Sequence, residues 1–255
     1  MIVIGAGRVG GALAERAADR EVECSLVTRT DGWDAIEQSD APIFVAVRND
    51  DLQGIVDRID PKHHARLVFT QNGMLRRWLS AQSLTACTRG LLFFAVPSRG
   101  APLEPGGDSP FVGPMANAVR TWLSSIDVPA ATVEAPSFAV TELEKLLWNC
   151  CFGLLCEHTQ KSVGAIVEED RSLLRQLVEE LLHVGMPAFD LQLDADARAA
   201  MLERLCAYSS SIPTYRGAVK EWPWRNGWFV DVAREPGLHE DLLARTGHLP
   251  QPVSQ

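Results

Sequence analysis

Lys145 and Asn149 lie in a long, mostly apolar segment in the second half of the chain. They are four residues apart, so a helix places them on one face. A lysine on a mostly apolar helix must find a partner, change its pKa or take part in chemistry. It could protonate a carbonyl oxygen during a reduction, or hold the negative charge that develops there. From spacing alone, an ion pair with Glu142 explains the lysine equally well.

Three other polar features have both a chemical and an ordinary interpretation. Asn72 follows a predicted strand, at the sheet edge where ligands bind in parallel folds, but Asn-Gly is also a common turn signal. Glu221 lies among tryptophans and could accept a hydrogen bond from a substrate hydroxyl, although exposed glutamates are commoner. Ser209 and Ser210 end a predicted helix, where serine is frequent.

The N-terminus carries a glycine-rich turn. Residues 5–10 fit G-x-G-x-x-G, follow the apolar run Ile2–Ile4 and open a predicted helix. Gly5 permits the tight turn, Gly7 lets the backbone approach a pyrophosphate, and Gly10 allows close packing of helix on strand. Amide groups at the helix start then point at the phosphates. This context favours dinucleotide binding over an ordinary glycine-rich turn. The predicted cofactor-binding residues are Gly5, Ala6, Gly7, Arg8, Val9 and Gly10.

The end of the second predicted strand indicates which dinucleotide binds. An NAD site usually has an acidic residue there, for the ribose 2′-hydroxyl. This chain has Arg29 between Thr28 and Thr30 instead, and Asp31 lies past the expected place. A guanidinium can hold a 2′-phosphate through two hydrogen bonds. The sequence therefore favours NADP(H), the alternative being that Arg29 is a solvated loop cation.

The first ~130 residues alternate short apolar runs with helical patterns, as in a parallel sheet with crossover helices. We predict a helix over Arg8–Asp19 and a loop or hairpin tip over Ser98–Pro110. The fold class is α/β, with an N-terminal Rossmann doubly wound parallel sheet followed by an all-helical C-terminal domain. The predicted strands are Ile2–Ile4, Cys24–Val27, Ile43–Val47, Leu67–Thr70, Leu91–Val96 and Phe111–Val112.

The composition changes after Ala135-Pro136, which predicts an NADP-binding domain over residues 1–136 and a helical substrate domain over 137–255. The segment Phe138–Cys156 is apolar nearly all round, which is typical of a buried central helix. We expect a frayed tail from Leu249 onward. The other predicted helices are Ser172–Phe189, broken at Gly185–Pro187, then Asp194–Tyr208, Gly227–Val232 and Glu240–Thr246.

Composition excludes several classes of function. The chain has 255 residues and a net charge of −9, which argues against nucleic acid or an anionic membrane as partner. No apolar run reaches the ~20 residues of a membrane helix, and no secretory signal is visible, so we expect a cytoplasmic protein. None of the six cysteines forms a C-x-x-C pair. We expect reduced thiols and no metal site.

Together these residues resemble the ketopantoate reductase family, over nearly the whole chain from Gly5 to about Pro250. Several sparse motifs in the same order are more specific than any one of them. The shared features are the glycine turn, Arg29, the cation Arg48 after Val45–Val47, the turn Gln71–Gly73, the segment Glu144–Asn149, the serine cluster, and Glu221 five residues before Asn226-Gly227.

The resemblance implies a 2-dehydropantoate 2-reductase-like oxidoreductase, as in pantothenate biosynthesis. NADP(H) would be its cofactor and a small carbonyl compound its substrate, while a homodimer is left open. Arg29 would bind the 2′-phosphate and Arg48 would lie near the adenosine end. Asn72 would lie beside the nicotinamide ribose and the substrate.

The resemblance also implies catalytic roles in the helical domain. Lys145 would be the general acid that protonates the oxygen as hydride reaches the carbonyl carbon. Glu221 would hold a hydroxyl of the substrate and orient Lys145. Asn149 and either Ser209 or Ser210 would contact the substrate.

The chain departs from the family pattern in its substrate half. Gly153 stands where the family has a second asparagine, and Pro213 where an aspartate is expected. Three tryptophans near Glu221 favour a bulkier or less polar carbonyl substrate. Two other interpretations stay open: a non-catalytic NADP-binding sensor or partner-binding protein, and an opine- or hydroxyacid-type dehydrogenase.

Overall fold

The computed structural model describes residues 1–250. At Pro105 only the backbone is described. The predicted tail lies partly outside these residues, because positions 251–255 are not described. The chain divides into two compact units, Met1–Phe138 and Ala139 onward. The predicted boundary after residue 136 falls in the first turn of the helix Ala135–Thr159, two residues before this division.

The first unit is built on a seven-stranded sheet with the order β2-β1-β3-β4-β5-β8-β9. Its pairs are parallel except β5 with β8. The central strands are short apolar runs that are buried along their whole length, as expected for strands covered on both faces. The strands are β1 Ile2–Ile4, β2 Ser25–Val27, β3 Ile43–Val45, β4 Leu67–Phe69, β5 Thr88–Gly90, β8 Ser109–Val112 and β9 Ala130–Thr132.

Helices pack against this sheet and close its core. Leu13 and Ala17 of helix α1 (Arg8–Asp19) are fully buried, in the same core cluster as Val3 and Phe44 of the sheet. Because β1 pairs with both β2 and β3, the strand order reverses at β1 and β3, which makes their carboxyl ends a topological switch point. The helices are α1 Arg8–Asp19, α2 Asp34–Gln38, α3 Leu52–Val56, α4 Arg76–Ala81 and α5 Ala116–Ser125.

Residues 139–250 are helical and contain no strand. The long helix α6 is buried along most of its length, because apolar residues occupy nearly every face. The predicted α/β class with a helical C-terminal half is thus confirmed. The helices are α6 Ala135–Thr159, α7 Val163–Glu169, α8 Arg171–Ala188, α9 Ala195–Ser211, α10 Asn226–Val232 and α11 Leu238–Arg245, with a 3-10 turn at Trp222–Trp224.

Several element predictions were wrong. The apolar run Leu91–Val96 is not a strand of the main sheet. Only Phe94–Ala95 (β6) is extended there, and it pairs with Glu104–Pro105 (β7) in a separate two-stranded sheet. The sheet strand is the more polar Thr88–Gly90, which was missed, as were β9 and α7. Pro187 does not break α8, since it lies in the last turn before the helix ends at Ala188.

Three findings bear on the predicted class of protein. All six cysteines are free thiols. Among residues 1–250, no group of three or more histidine, cysteine or acidic side chains is placed to hold a metal ion. None of the helices in this part of the chain combines the length and the apolar character needed to cross a membrane.

Candidate active site

The glycine turn joins β1 to α1 in the geometry that its spacing predicts. Gly5 has φ +108°, and a Cβ there would lie 2.7 Å from the carbonyl oxygen of Ala46, the residue that follows β3. A Cβ at Gly10 would overlap the carbonyl oxygen of Gly5. At Gly7 a Cβ would meet no atom within 4 Å, so the space over this residue is open. Two glycines therefore serve packing, and the third faces room for a ligand.

The start of α1 is suited to an anion. The first backbone bond of the helix runs from the Gly11 amide to the Gly7 carbonyl, so the amides of residues 8–10 have no partner within the helix. Gly7 is the N-cap and has no side chain to accept from these amides, and the first turn has no acidic residue. Arg8 places a cation at the positive end of the helix, which is unfavourable unless an anion lies nearby. These features fit a bound pyrophosphate.

The loop after β2 carries Arg29, and a second arginine, Arg58, reaches it from beyond α3. Trp33 donates from its indole nitrogen to the Thr28 carbonyl at 2.8 Å, which fixes the turn around the exposed Arg29. Arg58 donates to the Arg29 carbonyl at 3.0 Å, and its guanidinium lies 3.7 Å from the Trp33 ring centroid. A cation over an aromatic face is held in place. Sequence analysis missed Arg58, because 29 residues separate it from Arg29.

The turns after β3 and β4 are tied to each other. Gln71 donates to the Val45 and Val47 carbonyls at 2.8 and 3.1 Å, and Asn49 donates to the Asn72 carbonyl at 2.9 Å. The Asn72 side-chain oxygen is buried and has no hydrogen-bond partner in the described structure. A buried acceptor without a donor is costly, so it marks a place where a ligand can donate. Arg48 is exposed just before Asn49.

In the second unit, Lys145 and Asn149 share a face of α6 as predicted. The Asn149 amide donates to the Lys145 carbonyl at 2.7 Å, which leaves its side-chain oxygen as an acceptor. Burial, together with a smaller contribution from the charge of Arg225, lowers the pKa of Lys145 to about 7. Near neutral pH such a lysine exists in both protonation states, so it can give up a proton and regain it.

Glu221 is not a free carboxylate. Its Oε2 lies 2.6 Å from a terminal nitrogen of Arg225, and the two side chains are 31% and 11% exposed. Glu221 adopts φ +51°, the left-handed conformation, before the turn Trp222–Trp224. Arg225 was missed in the sequence, because the pairing depends on this turn. Glu221 and Arg225 lie in the same unit as Lys145, and the Arg225 charge contributes to the lowered pKa of that lysine.

The two serines differ in their surroundings. Ser209 is fully buried; its hydroxyl donates to the Leu205 carbonyl and accepts from the Trp148 indole, both at 2.9 Å. It thereby anchors Trp148, whose ring contacts Tyr208 and Tyr215. Ser210 is exposed. Of the pair, Ser210 has the hydroxyl with solvent access.

The departures from the family pattern have structural reasons. A Cβ at Gly153 would lie 2.7 Å from the Ala218 carbonyl oxygen, so the segment 217–219 occupies the place of a side chain. Pro213 packs on Gly164, where a Cβ would lie 2.7 Å from the proline Cβ. Of the three tryptophans expected at the substrate, Trp228 is instead a core residue that is 5% exposed and packs on Phe229.

The comparisons with known proteins come from structure alone. No protein-family model and no curated protein sequence matches this chain. A PanE/ApbA family ketopantoate reductase from Ralstonia eutropha matches with a TM-score of 0.69 at 18% identity, covering 97% of this chain and 99% of that one. A dimeric ketopantoate reductase from Staphylococcus aureus matches with a TM-score of 0.71 at 15% identity, covering 96% and 98%.

The chain has the ketopantoate reductase fold. A D-mandelate dehydrogenase solved with NADH shares this fold, with a TM-score of 0.71 at 13% identity, covering 96% of this chain and 97% of that one. The ketopantoate reductase fold therefore accommodates more than one substrate among these neighbours. The substrate of this chain must be argued from its own residues.

Proposed function

We propose that this chain is an NADPH-dependent oxidoreductase that reduces the keto group of a 2-oxo acid or related ketone. The observation that carries the proposal is Lys145, which is placed on an apolar helix and has its pKa lowered by burial to about 7. A proton donor with a pKa near the working pH is close to optimal for general acid catalysis. Neighbours of this fold act as ketopantoate reductases and as a D-mandelate dehydrogenase, which supports the same class of chemistry.

The cofactor would be held by the first unit. The backbone of residues 5–10 would bind the pyrophosphate, and the open space over Gly7 and the uncapped start of α1 support this role. Arg29 would bind the 2′-phosphate, Arg48 would lie near the adenosine end, and the buried oxygen of Asn72 would accept from the nicotinamide ribose or the substrate. When bound, the nicotinamide supplies the hydride.

The second unit would supply the proton and hold the substrate. Lys145 gives the proton on its Nζ to the carbonyl oxygen as that oxygen gains negative charge, and then regains one from solvent. Glu221 would accept a hydroxyl hydrogen bond and help orient Lys145. Asn149 and Ser210 would contact the substrate, and Ser209 would act through Trp148. A cytoplasmic homodimer completes the proposal; a neighbour from Staphylococcus aureus is dimeric.

The test is NADPH oxidation against a panel of 2-oxo acids that includes 2-dehydropantoate, phenylglyoxylate and 2-oxo-3-methylbutanoate. We expect turnover with at least one of these acids and none in its absence. A parallel series with an added amine identifies opine-type chemistry, in which turnover would require both compounds. Tight NADPH binding without turnover in either series would contradict the proposal and favour a non-catalytic nucleotide-binding protein.

Cofactor preference gives a separate prediction for Arg29. A charge-assisted hydrogen bond to a phosphate contributes about 1.5–3 kcal/mol, so Arg29→Ala should weaken NADPH binding by about 10- to 100-fold. NADH lacks the 2′-phosphate, so its affinity should stay within about twofold. Fluorescence titration of both cofactors measures this. The matched control is Arg20→Ala, which removes an exposed arginine paired with Asp127 beyond the end of α1. An equal loss for NADH and NADPH would contradict the role of Arg29.

A further inference from the structure

The buried guanidinium of Arg225 has N–H donors that Glu221 does not bind. The side of the guanidinium that carries these donors is called its donor edge below. Its side chain is 11% exposed, and one terminal nitrogen contacts Glu221 Oε2 at 2.6 Å. Its Nε is buried without a hydrogen-bond partner in the described structure. A guanidinium carries five N–H donors in a rigid plane, so one carboxylate leaves part of it unsatisfied. A buried donor without an acceptor is destabilising, and a ligand that accepts a hydrogen bond from it recovers this cost.

The local backbone holds this edge in place. The Trp224 amide donates to the Glu221 carbonyl at 2.9 Å, and the Arg225 amide to the Trp222 carbonyl at 3.2 Å. A Cβ at Gly227 would lie 2.5 Å from the Trp222 indole nitrogen, so the turn packs closely on itself. Arg225 is thus fixed between the 3-10 turn and α10 before any ligand arrives.

The charge of Arg225 affects the pKa values of two residues of α6. It adds to the effect of burial, which lowers the pKa of Lys145, and it opposes the burial that raises the pKa of Cys150, five residues further along the helix. The segment 217–219, which precedes Glu221 and Arg225 in the chain, packs against Gly153 of α6, so the backbone also brings this pair to the helix that carries Lys145. A 2-oxo acid carries its carboxylate on the carbon next to the keto carbon. One small substrate can therefore place its keto oxygen at Lys145 and its carboxylate at a neighbouring cation.

We infer that Arg225 binds the carboxylate of the 2-oxo acid substrate and makes the site specific for acids over neutral ketones. This inference rests on the proposed function and names the substrate class. An arginine edge matches a carboxylate through two parallel hydrogen bonds, which gives geometric selectivity as well as energy. Glu221 keeps the guanidinium oriented. The neutral ester of the same acid has no negative charge to pair with the guanidinium.

The experiment compares 2-oxo-3-methylbutanoate with its methyl ester. Binding is measured by calorimetry to the protein saturated with NADP⁺, which cannot reduce either compound. We expect wild-type protein to prefer the acid, and Arg225→Met to weaken acid binding by about 10- to 100-fold while ester binding stays within about twofold. Arg225→Lys keeps a cation beside Glu221 but loses the planar fork, so a smaller loss is expected.

Two controls separate recognition from folding. Arg204→Met removes another arginine of the second unit, one that pairs with Glu144 at 2.7 Å on the surface, and should leave the acid-to-ester ratio unchanged. Circular dichroism checks each variant, and Arg225→Lys decides the matter if Arg225→Met does not fold. An unchanged ratio in the folded Arg225 variants overturns the inference, as does a wild-type protein that binds the ester as tightly as the acid.

The outcome for Arg225 is distinct from that of the proposed function. If a 2-oxo acid is turned over and the Arg225 variants keep the wild-type ratio of acid to ester affinity, the carboxylate role of Arg225 is wrong and the reductase proposal is retained. Binding that depends on Arg225 in a protein that oxidises no NADPH supports acid recognition and removes the reductase. A wild-type protein that binds neither compound removes the carboxylate role.

Discussion

Replacing Lys145 with methionine is expected to lower kcat by about 10²- to 10⁴-fold, the usual contribution of a positioned general acid. Methionine keeps an unbranched apolar stem of similar size, so α6 should still pack. NADPH affinity should stay within about twofold, because the proposed cofactor residues belong to the first unit. Steady-state kinetics with the best 2-oxo acid, together with NADPH titration, measure both quantities. The control is Lys161→Met, a lysine paired with Glu169 and Asp170 at 3.0 and 2.7 Å.

The same lysine sets the pH dependence of reduction. Only the protonated form can give a proton, and its pKa is lowered to about 7. In the reductive direction kcat should be highest below pH 7 and fall as pH rises through this value. An unperturbed lysine would place that fall near its ordinary value of about 10.4. A rate that stays constant up to pH 9, or normal turnover in Lys145→Met, would contradict the assigned role.

The glycine turn gives the second large effect, through a pair of variants with opposite outcomes. Gly10→Ala places a Cβ against the carbonyl oxygen of Gly5, which belongs to the backbone and has little room to move. We expect the free energy of unfolding to fall by about 3 kcal/mol, the upper range for an overpacked position. Urea denaturation followed by circular dichroism measures the loss.

Gly7→Ala is the matched variant in the same turn. Gly7 has φ −76°, which alanine adopts readily, and its Cβ would meet no atom within 4 Å. Stability should therefore change by less than about 1 kcal/mol. NADPH affinity should fall by about tenfold or more, because the methyl group fills the space through which the backbone would approach a pyrophosphate. Unchanged NADPH binding in Gly7→Ala would argue against a dinucleotide at this turn.

The parts of the fold that the sequence predicted are those in which local pattern and burial agree. Helix α1 was predicted and found at Arg8–Asp19, where a glycine turn opens an amphipathic segment. β5 was missed because Thr88-Arg89-Gly90 has no apolar pattern; its central side chain, Arg89, donates to the Phe69 carbonyl at 3.0 Å. Residues 91–96 have the opposite character. Leu92, Phe94 and Val96 pack on the core of the first unit, so their apolar pattern reports burial rather than a strand of the main sheet.

The candidate site was predictable to a similar degree. The spacing of Lys145 and Asn149 was sufficient to predict that they share a helix face, because both lie on one regular helix. Arg225 and Arg58 were not recognisable, since their partners are reached through irregular turns. Glu221 pairs with Arg225 while its backbone is in the left-handed conformation, and no pattern in the sequence predicts that conformation for a glutamate. The roles of the predicted site residues stay predictions until the variants are measured.

The contact between Gly153 and Ala218 constrains how this protein could change its substrate. An asparagine cannot be restored at position 153 by one substitution, because the main chain of a neighbouring segment already fills that volume. A variant library aimed at ketopantoate would have to shorten or redirect residues 217–219 first, and only then introduce the amide. The order of the two changes is therefore fixed, because the asparagine introduced first would clash with the main chain at Ala218.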